Sequence, residues 1–367
     1  MARKARKNSI DPSVIQVVHT WNRCVRRLVL CGIDPITGAD CEYRREWSRS
    51  RLSHLASVYA IEVLTYAIMG NHTHMVLRSR PDIARQWTPE MIARRWLTLT
   101  PKTDSTGNIV EPTPAQIQAI VDDPELVEKL RLQLSDISWW MRSYAQHIAK
   151  RANLEDNMEG HFWQQRYKAH VLVDEASILR CMMYVDLNPI RAGLADSIED
   201  SDYTGAKDRF DDLRVHVATK NESQITLRFD SGSDTSRWER LEHQCSGWLS
   251  PIEIDGQRSE AHCETVDMEE QVARPRSRRI SQRGAVRIPL TKYLLLLDLI
   301  GRQQRAGGSG FIPDEVVPIL QRLNIEATGF IESILCFGQR FKTIAYRCRN
   351  DNVRLNEVNA LKQVVAV

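Results

Sequence analysis

The stretch Asn71–Leu77, with the sequence NHTHMVL, places two histidines two positions apart in a run of strand-forming residues. A β-strand points successive side chains to opposite faces, so His72 and His74 project to the same side of the predicted strand. Two neutral imidazoles on one side of a strand can share one divalent metal ion. The stretch therefore predicts a strand and a candidate metal site together.

A second stretch, Tyr184–Pro189 with the sequence YVDLNP, lies about a hundred residues later. Asp174 can cap a helix that runs through Tyr184 and stops just past Asn188, because Pro189 cannot continue it. Residues four apart share a helix face, so Tyr184 and Asn188 can both point at one spot. A free phenol ionises only near pH 10, so a tyrosine nucleophile needs a metal or a base to take its proton.

Each of these features also has an ordinary explanation. A His-x-His pair in a strand is commonly a solvent-facing pair, Tyr184 fits a half-buried core tyrosine, and Asn188 before proline fits a helix stop. Trp139, Trp140, Phe162 and Trp163 could stack on nucleic-acid bases, but on amphipathic elements they favour the core, and we expect Trp140 there. His243, Cys245, His262 and Cys263 match no standard zinc spacing.

The order of periodic segments predicts a mixed α+β fold. Ile15–Trp21 alternates like a strand, and Arg26–Cys31 is its expected hairpin partner. A helix follows Asp40, two extended runs span residues 58–77, and Glu125–Ala152 has one continuous helical stripe.

Composition changes along the chain predict three parts: a first domain at residues 1–205, a poorly structured linker at 206–288 and a small helical domain at 289–367. Within the linker, residues 251–272 hold seven acids against one arginine, whereas residues 274–288 hold six arginines and no acid. Such opposite charge blocks are typical of a solvated segment. Three helices are expected in the last part, at Lys292–Arg302, Pro313–Leu323 and Thr328–Phe341.

The composition of the 367 residues, with 42% hydrophobic content, is that of a soluble globular protein. The basic first seven residues lead into no apolar stretch, which argues against a signal peptide or membrane anchor and favours the cytoplasm. Eight scattered cysteines without a C-x-x-C pair indicate reduced thiols. Residues 1–52 hold eleven Lys/Arg against five Asp/Glu, and such an excess favours a polyanionic partner.

Four stretches resemble the HUH single-tyrosine transposases, in particular the REP-associated tyrosine transposases. They occur in order between about residues 15 and 205: His19–Arg27, Ala67–Leu77, Phe162–Lys168 and Tyr184–Leu194. The last is the nearest match, since the family places its nucleophilic tyrosine and a polar metal ligand four residues apart there.

The resemblance implies a ferredoxin-like antiparallel sheet with packed helices, an HUH transposase domain at 1–205 and a divalent cation, Mg²⁺ or Mn²⁺. It also implies cleavage and rejoining of single-stranded DNA near hairpins through a 5′-phosphotyrosine intermediate. By position it assigns Tyr184 as nucleophile, His72 and His74 as metal ligands and Asn188 as third ligand. The candidate phosphate contacts are basic residues within or beside the matching stretches: Arg23, Arg26, Arg27, Arg166, Lys168 and Arg191.

Two other function classes stay open from the sequence. A DNA-binding regulator, or a domesticated transposase relic, would recognise hairpins without cutting them. A water-using phosphohydrolase would need carboxylate ligands near the histidine pair, and Asp186 faces away from Tyr184 on the predicted helix. Relatives occur as monomers and as homodimers. The basic residues of the last part, Arg302, Arg305, Arg322, Arg340 and Lys342, fit either auxiliary DNA binding or a stabilising appendage.

Overall fold

The computed structural model of the protein describes most of the first 219 residues and three later segments. The described residues are 10–25, 29–35, 37–99, 102–103, 109–219, 246–254, 279–303 and 310–322. The predicted helix Thr328–Phe341, the cysteines and histidines between residues 243 and 263, and the basic residues Arg305, Arg340 and Lys342 lie outside this part.

Strands and helices alternate in the first part of the chain, and helices follow in the last. The strands are β1 (Val17–Arg23), β2 (Ile61–Ile68), β3 (His72–Ser79), β4 (Lys102–Thr103), β5 (Ile109–Val110) and β6 (Lys168–Leu172). The helices are α1 (Arg44–Val58), α2 (Pro81–Ala84), α3 (Pro89–Thr98), α4 (Pro114–Val121), α5 (Pro124–Ser135), α6 (Ile137–Glu155), α7 (Glu175–Asp186), α8 (Asn188–Arg191), α9 (Gly205–Thr219), α10 (Leu290–Arg302) and α11 (Ile319–Arg322).

A four-stranded antiparallel sheet with the order β2-β3-β1-β6 forms the centre of the fold. A helical connection joins β1 to β2, and another joins β3 to β6. This confirms the predicted mixed class with an antiparallel sheet and packed helices. The predicted opening hairpin is wrong, because both edges of β1 pair with distant strands, β3 and β6, and residues 29–31 form no strand.

The two faces of the sheet bury separate apolar clusters. Val18 and Met75 point to one face and pack with residues of α1 and α6, including Trp140, which is buried as expected. Val17 and Val76 point to the other face and pack with residues of α7, α9 and α10. We call this second side the α7 face. The strict alternation of β1 and β3 therefore decides which residues meet α7.

The long helix expected over 125–152 is divided into α5 and α6 at Asp136. The Asp136 side chain accepts a hydrogen bond from Ser138 N and starts α6, since aspartate is a favourable N-cap. A continuous apolar stripe does not reveal such a break, because both helices present their stripe to the same core.

Parts of the expected linker at 206–288 have regular structure. Residues 205–219 form α9, and Ser250 N donates to Val63 O of β2. The Arg78 guanidinium of β3 donates to the carbonyl oxygens of Arg283 and Gly284, with a nitrogen-to-oxygen distance of 2.8 Å in each bond. The division of the chain into three parts stays a prediction, but these segments pack on the sheet.

The described residues of the last part also pack on the first. Leu294 and Leu297 of α10 share the apolar cluster of the α7 face with Met183. The helix expected over Pro313–Leu323 is shorter than predicted. Of the described residues 313–322, only those of α11 are helical. Among the described helices, none has the length and apolar character needed to cross a bilayer.

A buried carboxylate fastens one of the later segments to the sheet. Glu62 of β2 pairs with Arg78 and with Arg80, the latter over 3.0 Å, and all three side chains are at most 5% exposed. Ser281 donates a further hydrogen bond to Glu62. Burial alone would raise the pKa of Glu62, but Arg78 and Arg80 outweigh it and lower that pKa.

Replacing Glu62 should therefore destabilise the fold strongly. We expect Glu62→Gln to lower the free energy of unfolding by about 3 kcal/mol, because the buried Arg78 guanidinium loses the carboxylate that it pairs with and the buried Arg80 guanidinium keeps only the partly exposed Asp82. Glu128→Gln is the matched control, since Glu128 pairs with Arg131 but is 67% exposed; a loss below about 1 kcal/mol is expected. Urea unfolding at neutral pH measures both. Equal losses for the two variants would contradict the role given to Glu62.

Candidate active site

Strand register brings the two histidines of β3 beside β1. His74 lies opposite Trp21 and His72 lies opposite Arg23. Both histidines are on the α7 face, where His74 is only 6% exposed. The ring centroids of His72 and His74 are 5.0 Å apart, and the rings are nearly perpendicular. The alternation expected from the sequence thus places both imidazoles on one side of the sheet.

Helix α7 brings Tyr184 to the same place. The Asp174 side chain accepts from Ser177 N and begins the helix, as expected. Met182 and Met183 are buried and fix the helix on the sheet, whereas Tyr184 is 48% exposed. Its ring meets His74 edge-on, with centroids 5.7 Å apart. The phenol of Tyr184 is therefore open to solvent and next to the histidine pair.

Each of the two predicted histidine ligands has a neighbouring side chain within hydrogen-bond distance of its Nδ1. His72 Nδ1 lies 2.7 Å from the Oδ1 of Asn71, and because an amide oxygen only accepts, His72 Nδ1 carries the proton. His74 Nδ1 lies 3.0 Å from His19 Nε2, so one of these two nitrogens donates to the other. In both histidines Nε2 is the nitrogen left for another contact.

Burial keeps the three imidazoles uncharged near neutral pH. It lowers the pKa of His72 to about 4, with Arg23 acting in the same direction. It lowers the pKa of His74 to about 3, with His19 and His72 adding to the effect. The pKa of His19 falls to about 4 for the same reason, and His170 contributes. Neutral imidazole is the form that binds a metal ion.

A cavity of about 290 Å³ opens between the histidine strand and α7. Its lining combines the histidine pair and Tyr184 with cationic and amide side chains: Trp21, Asn22, Arg23, His72, His74, Gln164, Gln165, Arg166, Lys168 and Tyr184. Lys168 lies over the Trp21 ring, 5.8 Å from its centroid. Cations at its wall give the cavity the charge and shape to accept an anion beside an aromatic surface.

Two predicted site residues are not part of the cavity lining. Asn188 begins α8 and is not part of the cavity lining, so its role as third ligand stays a prediction. The Arg191 guanidinium donates to the carbonyl oxygens of Ile300, at 2.5 Å, and Gln303, at 2.6 Å. These bonds lie at the end of α10 and do not favour a phosphate contact. Arg26 and Arg27 fall outside the described residues.

Sequence reasoning gave no role to His19, Trp21 or Asn71. The period of two that singled out His72 and His74 also links His19, Trp21 and Arg23 on β1, so the signal was present. It could not be used, because the pairing of β1 with β3 was not expected.

Among the residues that the structure describes, no group of three or more His, Cys, Asp or Glu side chains is arranged to hold a metal ion. Two histidines alone need further donors to complete a coordination shell. Amide, phenol, water or phosphate oxygens would have to supply them.

Comparison with known proteins gives little further guidance. No family model matches the chain, and no curated protein matches it. Among solved structures, the chain is similar to one described as "Structure of the REP associates tyrosine transposase bound to a REP hairpin". The identity is 12%, the match covers 64% of this chain and 98% of that chain, and the TM-score is 0.33.

The desolvated imidazoles of His72 and His74 should stay neutral in mildly acidic solution. We expect the ¹⁵N signals of His72 and His74 to show no titration between pH 8 and pH 5, with His72 protonated on Nδ1. In urea both should titrate near the ordinary value of 6.5. Because only the unfolded chain then takes up protons, stability should fall as the pH drops from 6.5 towards 4. Titration of either folded-state signal near 6.5 would refute this picture.

Proposed function

We propose that the protein is a metal-dependent endonuclease and strand transferase that cleaves and rejoins single-stranded DNA near hairpins, as a transposase does. Tyr184 is the nucleophile, and His72 with His74 holds a Mg²⁺ or Mn²⁺ ion. The observation that carries the proposal is the contact between the half-exposed Tyr184 ring and the buried His74 ring, 5.7 Å apart between centroids.

This contact disfavours the ordinary explanations of both residues. A half-buried core tyrosine needs no histidine beside its ring, but the Tyr184 ring, which is 48% exposed, lies edge-on to the His74 ring. A solvent-facing histidine would be exposed, but His74 is 6% exposed. An accessible phenol beside secluded, uncharged imidazoles has little structural purpose, whereas a nucleophile beside metal ligands needs this exposure and this neutrality.

The topology supports the same function. Read from the other edge, the strand order is β6-β1-β3-β2, with helical connections before β2 and before β6. This is the order of a ferredoxin-like sheet, which the family resemblance implies. The histidine strand is then central, and the tyrosine helix follows the last strand.

The donor atoms fit a divalent ion in part. With Nδ1 of His72 bound to Asn71, its Nε2 has a lone pair to offer. If His74 Nδ1 donates to His19 Nε2, the Nε2 of His74 has one as well. Oxygen donors from Asn188 or from the DNA phosphate would complete the shell. When bound, the ion would supply Lewis acidity at a non-bridging phosphate oxygen.

The cavity wall suits a DNA backbone with unpaired bases. Arg23, Arg166 and Lys168 provide cations for phosphates, and Trp21 offers an aromatic surface for a base. Single-stranded DNA presents both groups together. A duplex stacks its bases inside, so their faces are not available to an aromatic side chain.

The chemistry follows from the position of Tyr184. Its oxygen forms a bond to the scissile phosphorus, the bond from phosphorus to the 3′ oxygen breaks, and the 3′ hydroxyl leaves with a proton. The tyrosine proton passes to a base or to water. The product is a 5′-phosphotyrosine ester, which keeps the energy of the broken bond. Attack by another 3′ hydroxyl reverses the step and joins new ends without ATP.

A regulator that binds hairpins without cutting them would use the same cationic wall. It would not require the phenol of Tyr184 to face the histidines. A water-using phosphohydrolase would need carboxylates at the cavity, and the described lining contains none.

Tyr184→Phe should abolish covalent capture of DNA. With a single-stranded hairpin DNA and Mn²⁺, we expect a protease-sensitive adduct that carries a 3′-end label and never a 5′-end label, since the link is to the 5′ phosphate. The Phe variant should form none, because the attacking oxygen is missing, while its DNA affinity stays close to that of the parent. Denaturing gels and a binding titration measure the two properties.

Tyr43→Phe is the matched control, because Tyr43 is also 48% exposed but precedes α1. It should form the adduct at the parent rate. Adduct formation by the Tyr184→Phe variant at that rate would exclude Tyr184 as the nucleophile. DNA binding by the parent without any adduct would favour the regulator.

Removing the histidine pair should eliminate both cutting and metal binding. We expect the double variant His72→Ala, His74→Ala to give no adduct and no Mn²⁺ binding by calorimetry, because the two Nε2 donors are gone. His147→Ala on α6 is the control, since that histidine is exposed and its helix packs on the opposite face. Cutting by the double variant at the parent rate would refute the metal role.

A further inference from the structure

The Asp186 carboxylate lies two residues after Tyr184 and joins four elements of the fold. It is 2% exposed and is the last residue of α7. Its Oδ1 accepts from Thr65 of β2 over 2.6 Å and from the backbone N–H of Ala206 in α9 over 3.1 Å. Its Oδ2 accepts from the hydroxyl of Tyr293 in α10. No part of the cleavage chemistry uses this carboxylate.

The Tyr293 hydroxyl donates its hydrogen bond to Asp186 from a position that solvent does not reach. Tyr293 is fully buried, and burial raises the pKa of its phenol, with the neighbouring Asp186 charge adding to the effect. The phenol therefore keeps its proton and donates it. A hydrogen bond from a neutral donor to a buried carboxylate is among the stronger ones in a protein.

The last part of the chain also contacts the other end of α7. Glu175 in the first turn of α7 accepts from the backbone N–H of Arg287 over 2.5 Å. Just after the C-terminal end of α7, Arg191 of α8 donates to carbonyl oxygens at the end of α10. Both ends of the tyrosine helix are thus attached to residues 287–303.

Close packing leaves this attachment little freedom. A Cβ on Gly310 would lie 1.9 Å from the carbonyl oxygen of Ile190, so any side chain there would push the segment away from α8. For the basic residues of the last part, the sequence allowed either DNA binding or stabilisation. Two of them, Arg302 and Arg322, form ion pairs with Asp298. These contacts fit a structural brace.

We propose that α10 sets the position of the Tyr184 phenol against the histidines, and that the hydrogen bond from Tyr293 to Asp186 is the contact that fixes it. Tyr293 is a positioning residue: it acts on α7 through Asp186 and does not touch the cavity. The inference rests on the proposed function only for the chemical role of Tyr184, since the attachment of α7 exists without it.

The test compares two buried tyrosines in the full-length protein. Tyr293→Phe removes the donor to Asp186. Tyr144→Phe removes a donor of the same kind, since fully buried Tyr144 donates to Ser48 over 3.2 Å, but among residues packed on the opposite face of the sheet. A merely structural role predicts that both variants lose thermal stability and activity in parallel.

We expect Tyr293→Phe to slow adduct formation at saturating DNA by about 10- to 100-fold, because small misplacement of a nucleophile is costly. The DNA dissociation constant should stay at the parent value, and Tyr144→Phe should keep the parent rate. Equal slowing by both variants, or an unchanged rate for Tyr293→Phe, would overturn the proposal.

A second measurement does not depend on catalysis. With 3-fluorotyrosine placed at position 184, the ¹⁹F signal should shift or broaden in Tyr293→Phe and stay unchanged in Tyr144→Phe. A parent protein that forms no adduct but shows this difference would refute the proposed function and support the brace. Identical ¹⁹F signals in the parent and in both variants would refute the brace.

Discussion

The packing of α7 across the histidine strand is the contact on which the arrangement of the site depends. Val76 in β3 and Met183 in α7 belong to one buried cluster, and each lies close in sequence to a site residue. Because a strand alternates with period two and a helix turns every 3.6 residues, fixing these apolar partners also fixes His74 and Tyr184. The polar site is thus positioned by apolar contacts around it.

The electrostatic character of the site follows from the same packing. Covering the sheet with α7 removes water from the imidazoles, and this desolvation is the main reason that they stay neutral. Cationic side chains, by contrast, lie at the solvent edge of the cavity, where Arg166 and Lys168 are exposed. The cavity thus combines an uncharged floor with a cationic rim, and its positive charge lies away from the imidazoles.

The sequence predicted what depends on local periodicity and failed where distant segments meet. The shared face of His72 and His74, the Asp174 cap of α7 and the burial of Trp140 all follow from spacing within one element. The hairpin after β1 was wrong because strand partners 49 to 61 residues apart leave no local signal. His19 was missed for the same reason, since its contact with His74 exists only after β1 and β3 pair.

The attachment of Ser281 to Glu62 has a consequence for biosynthesis. The two residues are 219 positions apart, so a ribosome working at roughly 5 to 20 residues per second needs about 10 to 45 seconds to supply the second after the first. During that interval the carboxylate of β2 and the two arginines that flank it lack their last polar neighbours. The nascent sheet therefore gains this contact only after Ser281 has been added to the chain.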